Sequence, residues 1–430
     1  MRKRGCIRSL LHAATAIAAA IVIGCDAGDS REALDLWTLG REGEVVARLV
    51  PGFERDHAEV DVQTQQIPWS AAHEKLLTAY VGEAMPDLFQ VGNTWIPELV
   101  ALGALEPLDD RLLRSTAMSR EDFFPGVLDT NVIDGKLYGI PWYVDTRLLF
   151  YRRDLLAVVG SDTPPSTWEA WANAMERLKE HSPDTFAILV PLTEWQAPVI
   201  FALQRGGELL RENLTRGNFR SAEFRAAFSF YIDLFRNGLA PLAGQTALAN
   251  VYQEFARGSF VFYVTGPWNL GEFERRLPKD LADRWATAPM PAPPNGTFPG
   301  VSVAGGASLV IHRGSKRKDR AWALVEYLCG RDASLELYRL TGDLPARKEA
   351  WRDPSLAANP RVQAFWRQLE NVQPTPKVPE WERIASLISR WGEAAARGRV
   401  GIDEALEGLD RDVDQVLEKR RWMLARGDEP

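Results

Sequence analysis

The sequence predicts an α/β protein of two globular units, and three observations carry that prediction. Its 430 residues are more than one ordinary domain holds. Between residues 33 and 91 the pattern runs strand, helix, strand, helix, strand, the order of an α/β domain on a largely parallel sheet. The composition, 46% hydrophobic and 25% charged, belongs to a chain that can bury cores rather than one that stays disordered.

The first strand alternates over 33–38, and Gly40-Arg41-Glu42-Gly43 reads as a turn. Residues 44–57 read as a helix that Pro51-Gly52 interrupts, because an internal proline removes one hydrogen bond and clashes with the preceding turn. A second strand covers 59–63. Pro68-Trp69 leads into a helix over 70–81 with Leu76, Leu77 and Tyr80 on one face, and a short buried strand covers 85–91. Ligands on such sheets gather at the carboxyl ends of the strands, which puts Trp37, Gln66 and Asn93 beside one crevice.

Farther on, Thr163-Pro164-Pro165-Ser166-Thr167-Trp168 leads into an amphipathic helix with Ser166 or Thr167 as its N-cap. Strands are expected at 186–190, 259–264 and 303–311, and helices at 195–205, 221–237, 253–257 and 318–329. Residues 289–299 are proline-rich and read as a connection, and Leu344-Pro345-Ala346-Arg347 as a turn. In the tail, Ile402, Leu406, Leu409, Val413, Val416 and Leu417 make one apolar helical stripe.

Net charge is −7 with basic residues scattered among acids, which excludes nucleic acid as a partner. The five histidines (His12, His57, His73, His181, His312) and three cysteines form no metal-ligand spacing, so no metal or other cofactor is expected. The fifteen tryptophans stand out, and favour a sugar ligand, because a ring face covers the apolar C–H face of a sugar.

At the N-terminus, Arg2, Lys3, Arg4 and Arg8 precede an apolar run over 13–24 that is too short to span a bilayer and has the form of a secretory signal. It ends in Val22-Ile23-Gly24-Cys25, which resembles the lipobox of bacterial lipoproteins. That resemblance implies cleavage before Cys25 and acylation of its sulfur, anchoring an exported domain at a membrane surface. Asp26 resembles the inner-membrane retention signal of some Gram-negative bacteria. Cys6 leaves with the signal and Cys329 stands alone, so no disulfide is expected.

Two stretches carry the chemistry. Residues 138–154 place Trp142, Tyr143 and Asp145 within four positions, two flat rings and a carboxylate that accepts hydrogen bonds from hydroxyls, before Leu148, Leu149 and Phe150. These residues alone fit a sugar platform or an aromatic core strand equally. The second stretch, 258–269, is a strand ending in Gly266-Pro267-Trp268-Asn269. It presents an indole at a strand terminus, either for a ligand to stack on or packed over the turn. Catalytic signatures are missing: there is no G-x-S-x-G elbow, P-loop or H-E-x-x-H. Glu194 and Asp145 can be paired as glycosidase carboxylates, but 58 acidic residues allow many such pairs, and no enzyme is expected.

Seven segments, in order, resemble the extracellular solute-binding proteins of bacterial sugar ABC importers, the group that includes maltose- and trehalose-binding proteins. Pro86-Asp87-Leu88-Phe89, followed by Trp95 and by Gly103-Ala104-Leu105-Glu106-Pro107-Leu108, is similar to that family's P-D strand and G-x-L-x-P-L turn. Residues 138–154, Trp168-Glu169, 257–268, Gly305-Gly306 with Leu309-Val310-Ile311, Leu344-Pro345-Ala346-Arg347 and 374–384 complete the set. Two positions depart from the pattern: Asn93 stands where many members carry an aspartate that grips a sugar hydroxyl, and Arg152-Arg153-Asp154 replaces Asn-Lys-Asp.

The resemblance implies two α/β lobes of the periplasmic-binding-protein type, each a mostly parallel sheet flanked by helices. Residues 33–146 with 301–350 form the first lobe and 147–300 with 351–425 the second, after a signal over 1–24 and a tether over 25–32. Crossing strands near 145–148, 300–303 and 350–353 would let the lobes close on a ligand. Trp142, Tyr143, Asp145, Trp268, Gly305 and Gly306 fall on the family's ligand contacts, with Asn93, Glu42, Trp195, Arg347 and Trp381 matching more loosely. The implied partners are a sugar or oligosaccharide, the permease of an ABC importer, and a membrane reached through the lipid anchor, with the protein itself a monomer. A sugar phosphate or glycerophosphodiester, held by Arg147 with Arg347, is the alternative ligand, and a lectin-like surface lipoprotein the alternative of another class.

Overall fold

The structure, a computed structural model, describes residues 31–243 and 250–427; the signal and Cys25 lie outside the described residues. The alternation at the start of this region folds as the strand Glu32–Leu39, with Leu34 and Leu36 buried and Ala33 and Asp35 exposed. It joins a six-stranded sheet in the order Leu344–Pro345, Ile140–Asp145, Gly305–Ile311, Leu88–Gly92, Glu32–Leu39, Val60–Ile67. Four of these strands share one direction, while Gly305–Ile311 and Leu344–Pro345 oppose it.

A second sheet of four strands has the order Trp285–Ala288, Leu148–Arg152, Phe260–Thr265, Phe186–Leu189, and only Leu148–Arg152 opposes the others. Leu148–Arg152 and Phe260–Thr265 are buried along their whole length, as strands covered on both faces must be. Helices cover both sheets, and three apolar clusters lie between the layers, one of them continuous beneath parts of both sheets.

The chain passes from the first sheet to the second through Thr146 and Arg147, between Asp145 and Leu148. It returns between Ala288 and Gly305, where Ser302–Val303 pairs in parallel with Val372–Gln373. It crosses again after Leu344–Pro345, since Pro360–Leu369 packs on the second sheet: Thr287 donates to the Arg361 carbonyl at 2.7 Å, and the Arg361 guanidinium lies 3.8 Å from the Trp285 ring centre.

Three local expectations are corrected. Gly40-Arg41-Glu42-Gly43 is the first turn of the helix Gly40–Asp56 rather than a separate turn. That helix continues through Pro51, which is exposed, because Val46, Leu49, Val50 and Phe53 bury the other face and outweigh one lost backbone bond. Gly266-Pro267 leads directly into the helix Trp268–Arg276, so Trp268 starts a helix. The N-cap near residue 166 is Thr167, whose hydroxyl accepts from the Ala170 amide at 3.3 Å, and Ser221 caps Ala222–Arg236 in the same way.

Candidate functional site

The two sheets face each other across a cleft of about 370 Å³. One wall comes from the carboxyl ends of the first sheet. Glu42 arrives on the first turn after Glu32–Leu39, Asn93, Thr94 and Trp95 on the turn after Leu88–Gly92, and Tyr143 and Asp145 at the end of Ile140–Asp145. The opposite wall brings Trp268 from the end of Phe260–Thr265 and Trp195 and Gln196 from the start of Gln196–Gln204. The first crossing supplies Arg147 and the second Val303, Ala304 and Gly305.

Tyr143, Asp145 and Trp268 therefore meet over one gap, and Arg147 joins them. Arg147 Nη1 donates to Asp145 Oδ1 and Oδ2 at 2.7 and 2.8 Å, and its guanidinium lies 4.4 Å from the Trp268 ring centre. The ring is half-buried. It folds back over Gly266, where an added Cβ would lie 1.9 Å from the indole, so the glycine is needed for the ring to sit there. Burial works against the charge on Arg147, but Asp145 and Glu194 beside it outweigh burial and keep the guanidinium charged. Glu194, just outside the lining, has its pKa pushed up by burial, against the pull of Arg147.

Farther in, Glu42 accepts from Trp69 Nε1 at 3.4 Å and lies near the Tyr143 phenol, while Gln90 Nε2 donates to Tyr143 Oη at 3.2 Å. Burial, reinforced by the Glu42 charge, pushes the Tyr143 pKa well up, so the phenol stays a donor. Asp343 completes this corner; burial, then the Glu42 charge, raises its pKa well above the ordinary aspartate value.

Several sequence-predicted positions land elsewhere. Trp142 is 1% exposed in the apolar core, its indole N–H without a hydrogen-bond partner, because alternation along its strand turns it away from the face that carries Tyr143 and Asp145. Trp381 is also buried, with its ring edge-on to Trp195 at 5.2 Å, so Trp195 alone of that pair reaches the cleft. Arg347 is buried away from the cleft and paired with Asp122 and Glu349, both at 3.2 Å. Trp37 and Gln66 do not line the cleft either: Lys75 sits over the Trp37 ring, and Gln66 Nε2 donates to the Gly40 carbonyl.

Asn93 lines the cleft, but its amide is engaged, donating to Thr130 Oγ1 at 2.7 Å and accepting from Ser308 Oγ at 2.9 Å. Gly305 and Gly306 line it as well, paired with Asp145 and Val144 across the sheet. A Cβ on Gly306, at φ +132°, would lie 2.2 Å from the Tyr143 carbonyl, so crowding between the strands accounts for that glycine.

Sequence reasoning missed Trp69, Trp95, Gln196 and Asp343 as lining residues. Trp69 and Trp95, 5.6 Å apart and edge to face, each follow the end of a predicted strand, and the carboxyl-end rule applied to every strand would have found them. Asp343 carries no comparable signal. Among the described residues, no group of His, Cys, Asp and Glu could hold a metal ion.

A ligand-sized cleft between two α/β layers, lined by rings and carboxyls and bounded by chain crossings, defines a solute-capturing binding protein. The chain belongs to the bacterial extracellular solute-binding protein family, whose model matches residues 38–333, and this is a family of binding proteins rather than enzymes. Its fold is shared with the sugar-binding protein MalE from Xanthomonas citri, at 46% identity and a TM-score of 0.87, covering 92% of this chain and 99% of that one. An ABC transporter solute-binding protein from Thermotoga lettingae, solved with α-D-tagatose, superposes with a TM-score of 0.77 at 25% identity, over 90% of this chain and all of the other. The diacetylchitobiose binding protein DasA of Streptomyces coelicolor is 26% identical over 389 residues, 88% of each chain. Among the described residues, no helix is long and apolar enough to cross a membrane.

Proposed function

We propose that this protein captures a neutral sugar or oligosaccharide in the cleft and delivers it to the membrane permease of an ABC importer, working as a monomer. The observation that carries this reading is the meeting of Tyr143 and Asp145 from one sheet with Trp268 from the other over a single gap. The relatives solved or named as binders of sugars support the same ligand class. Residues 33–146 with 301–350 and residues 147–300 with 351–425 act as the two lobes, hinged where the chain crosses between sheets. Closure excludes water from the rings and carboxyls together, so stacking and hydrogen bonding strengthen in one step. Micromolar affinity needs about 8 kcal/mol. Two ring contacts with several charge-assisted hydrogen bonds, each worth about 1.5–3 kcal/mol, meet that after ordering costs.

The sugar-phosphate alternative loses its support, because Arg347 is not among the lining residues and is paired with Asp122, and Arg147 is already committed to Asp145. A thermal-shift screen of neutral mono-, di- and oligosaccharides tests the reading. A true ligand at a hundred times its Kd adds about 2.7 kcal/mol of stability, and a panel that leaves the melting temperature unmoved sinks it. The exported chain is held at the membrane by acylated Cys25, a reading that rests on the residues before it. Cys25→Ser is then expected in the soluble fraction of the exported protein, and a variant still pelleting with membranes refutes the anchor.

A further inference from the structure

Arg147 stands in the short crossing between the two sheets, where the strand Ile140–Asp145 hands over to Leu148–Arg152. Its side chain is 9% exposed and reaches partners on both walls of the cleft. Nη1 donates to Oδ1 and Oδ2 of Asp145 at 2.7 and 2.8 Å, so one nitrogen spans the carboxylate. The guanidinium lies 4.4 Å from the centre of the Trp268 ring, which follows the second sheet's strand Phe260–Thr265. The Arg147 carbonyl accepts from Ser302 Oγ at 2.7 Å, which ties this crossing to the returning one. One residue therefore touches an acid from one sheet, a ring from the other, and both crossings. This arrangement leaves Arg147 Nε buried without a hydrogen-bond partner. Desolvating a cation and leaving a donor unpaired are both costly. Stability alone would be served as well by an apolar side chain of similar size, so the guanidinium answers another need.

We propose that Arg147 is a positioning residue: its guanidinium sets the Trp268 ring and the Asp145 carboxylate in one arrangement before a ligand arrives, and it acts on binding through those two groups. The inference rests on the sugar-binding reading for what is bound, though not for what orders the ring. Each carboxylate oxygen has two acceptor sites, so bonding to Nη1 fixes the plane of Asp145 and still leaves room for ligand hydroxyls. Trp268 is crowded at Gly266, where an added Cβ would lie 1.9 Å from the indole, and is covered by the guanidinium. Among the described residues no aromatic ring stacks on this indole, which leaves the guanidinium to fix its tilt. Rotation about the crossings moves Arg147 least, so it can keep both partners as the cleft opens and closes. Ring and acid then meet the ligand already ordered, which removes a part of the entropy loss on binding. Lysine is no substitute, because its ammonium is a point charge without a flat face to lie on the indole.

Ligand-free protein tests the ordering through the fluorescence of Trp268, taken as the difference between each protein and its Trp268→Phe counterpart. In Arg147→Met this contribution is expected to shift to the red and to be quenched more by acrylamide than in the wild type, with Arg147→Lys between the two. Ser302→Ala removes the bond between the crossings and leaves the guanidinium in place. It is expected to lower stability without changing the Trp268 signal. A Trp268 signal that is the same in Arg147→Met and the wild type, or that changes equally in Ser302→Ala, overturns the proposal. Should Arg147→Met not fold, Arg147→Lys carries the same comparison. Calorimetric titration with maltose and with trehalose tests the effect on binding. For a sugar that binds, Arg147→Met is expected to lower the affinity at least about tenfold. In a protein already carrying Trp268→Ala it is expected to cost less, the combined loss falling short of the product of the single losses by at least about threefold. Losses that multiply in full mean that Arg147 acts apart from the ring, and overturn the proposal. If neither sugar binds, the sugar reading is what suffers, and the Trp268 fluorescence still decides the positioning role.

Discussion

Trp142 and Trp268 show how much depends on which side of a strand a ring falls. Trp142 lies one residue from Tyr143, but a strand sends neighbours to opposite faces, and its indole is part of the core. Removing it by Trp142→Ala creates a cavity and is expected to cost about 3–5 kcal/mol of stability. Trp268, half-buried over Gly266 and under the Arg147 guanidinium, gives the opposite outcome. Trp268→Ala is expected to lower the affinity for a sugar found by the screen at least about tenfold, or 1.4 kcal/mol, while its stability falls by about 1 kcal/mol as the cation–π contact goes. Calorimetric titration beside urea denaturation separates the two, and a Trp268 variant that unfolds like the Trp142 one would make both rings structural. Residues 138–154 did not reveal this difference because every position from Ile140 to Val144 is buried, so no polar alternation marked which face was which. Asp343 was illegible for another reason: it joins Glu42 in the cleft lining only after some 300 residues of intervening chain have folded.

At the scale of elements, the order of strands and helices was legible because apolar periodicity and capping residues are local signals. Residues 221–237 are the clearest instance: Ser221 caps the helix, Phe224, Phe228, Ile232 and Phe235 form its buried face, and Gly238 at φ +65° ends it. Reading failed where a local breaker was overruled by packing. Two glycines made residues 40–43 look like a turn and Pro51 looked like an end, yet the buried stripe of Gly40–Asp56 carries the helix through both, and so places Glu42 in the cleft. Sheet pairing was beyond local reading altogether. Gly305–Ile311 sits between Ile140–Asp145 and Leu88–Gly92, partners more than 150 residues away in the chain, and it runs against both. That insertion sets Gly305 beside Asp145 and gives the cleft its floor.

At the scale of the whole molecule, contacts that span the cleft bear on how readily the proposed lobes close. Arg41, beside Glu42, pairs with Glu272 on the opposite wall at 3.4 Å. Near the mouth, Glu382 on the helix Trp381–Ala396, which packs with the second sheet's helices, faces Thr94 and His73 on the first sheet's side. His73 Nε2 is 2.6 Å from Glu98 Oε2, and its ring lies 5.2 Å from that of Trp95. Its pKa is raised, first by the hydrogen bond to Glu98, against burial, and then by the charges of Glu98, Glu382 and Glu74. Because the folded value lies above the unfolded one, the stabilisation is complete below about pH 6.5 and is lost as pH rises through the raised folded value. His73→Gln cannot take the proton. The wild type is therefore expected to melt above this variant in mild acid, with the gap closing on the alkaline side; a gap independent of pH would mean that His73 contributes packing against Trp95 and no charge. Asp343 is present in both proteins and cancels from the comparison, so the slope that remains belongs to the His73 contacts, the hydrogen bond to Glu98 first and the charge of Glu382 after it.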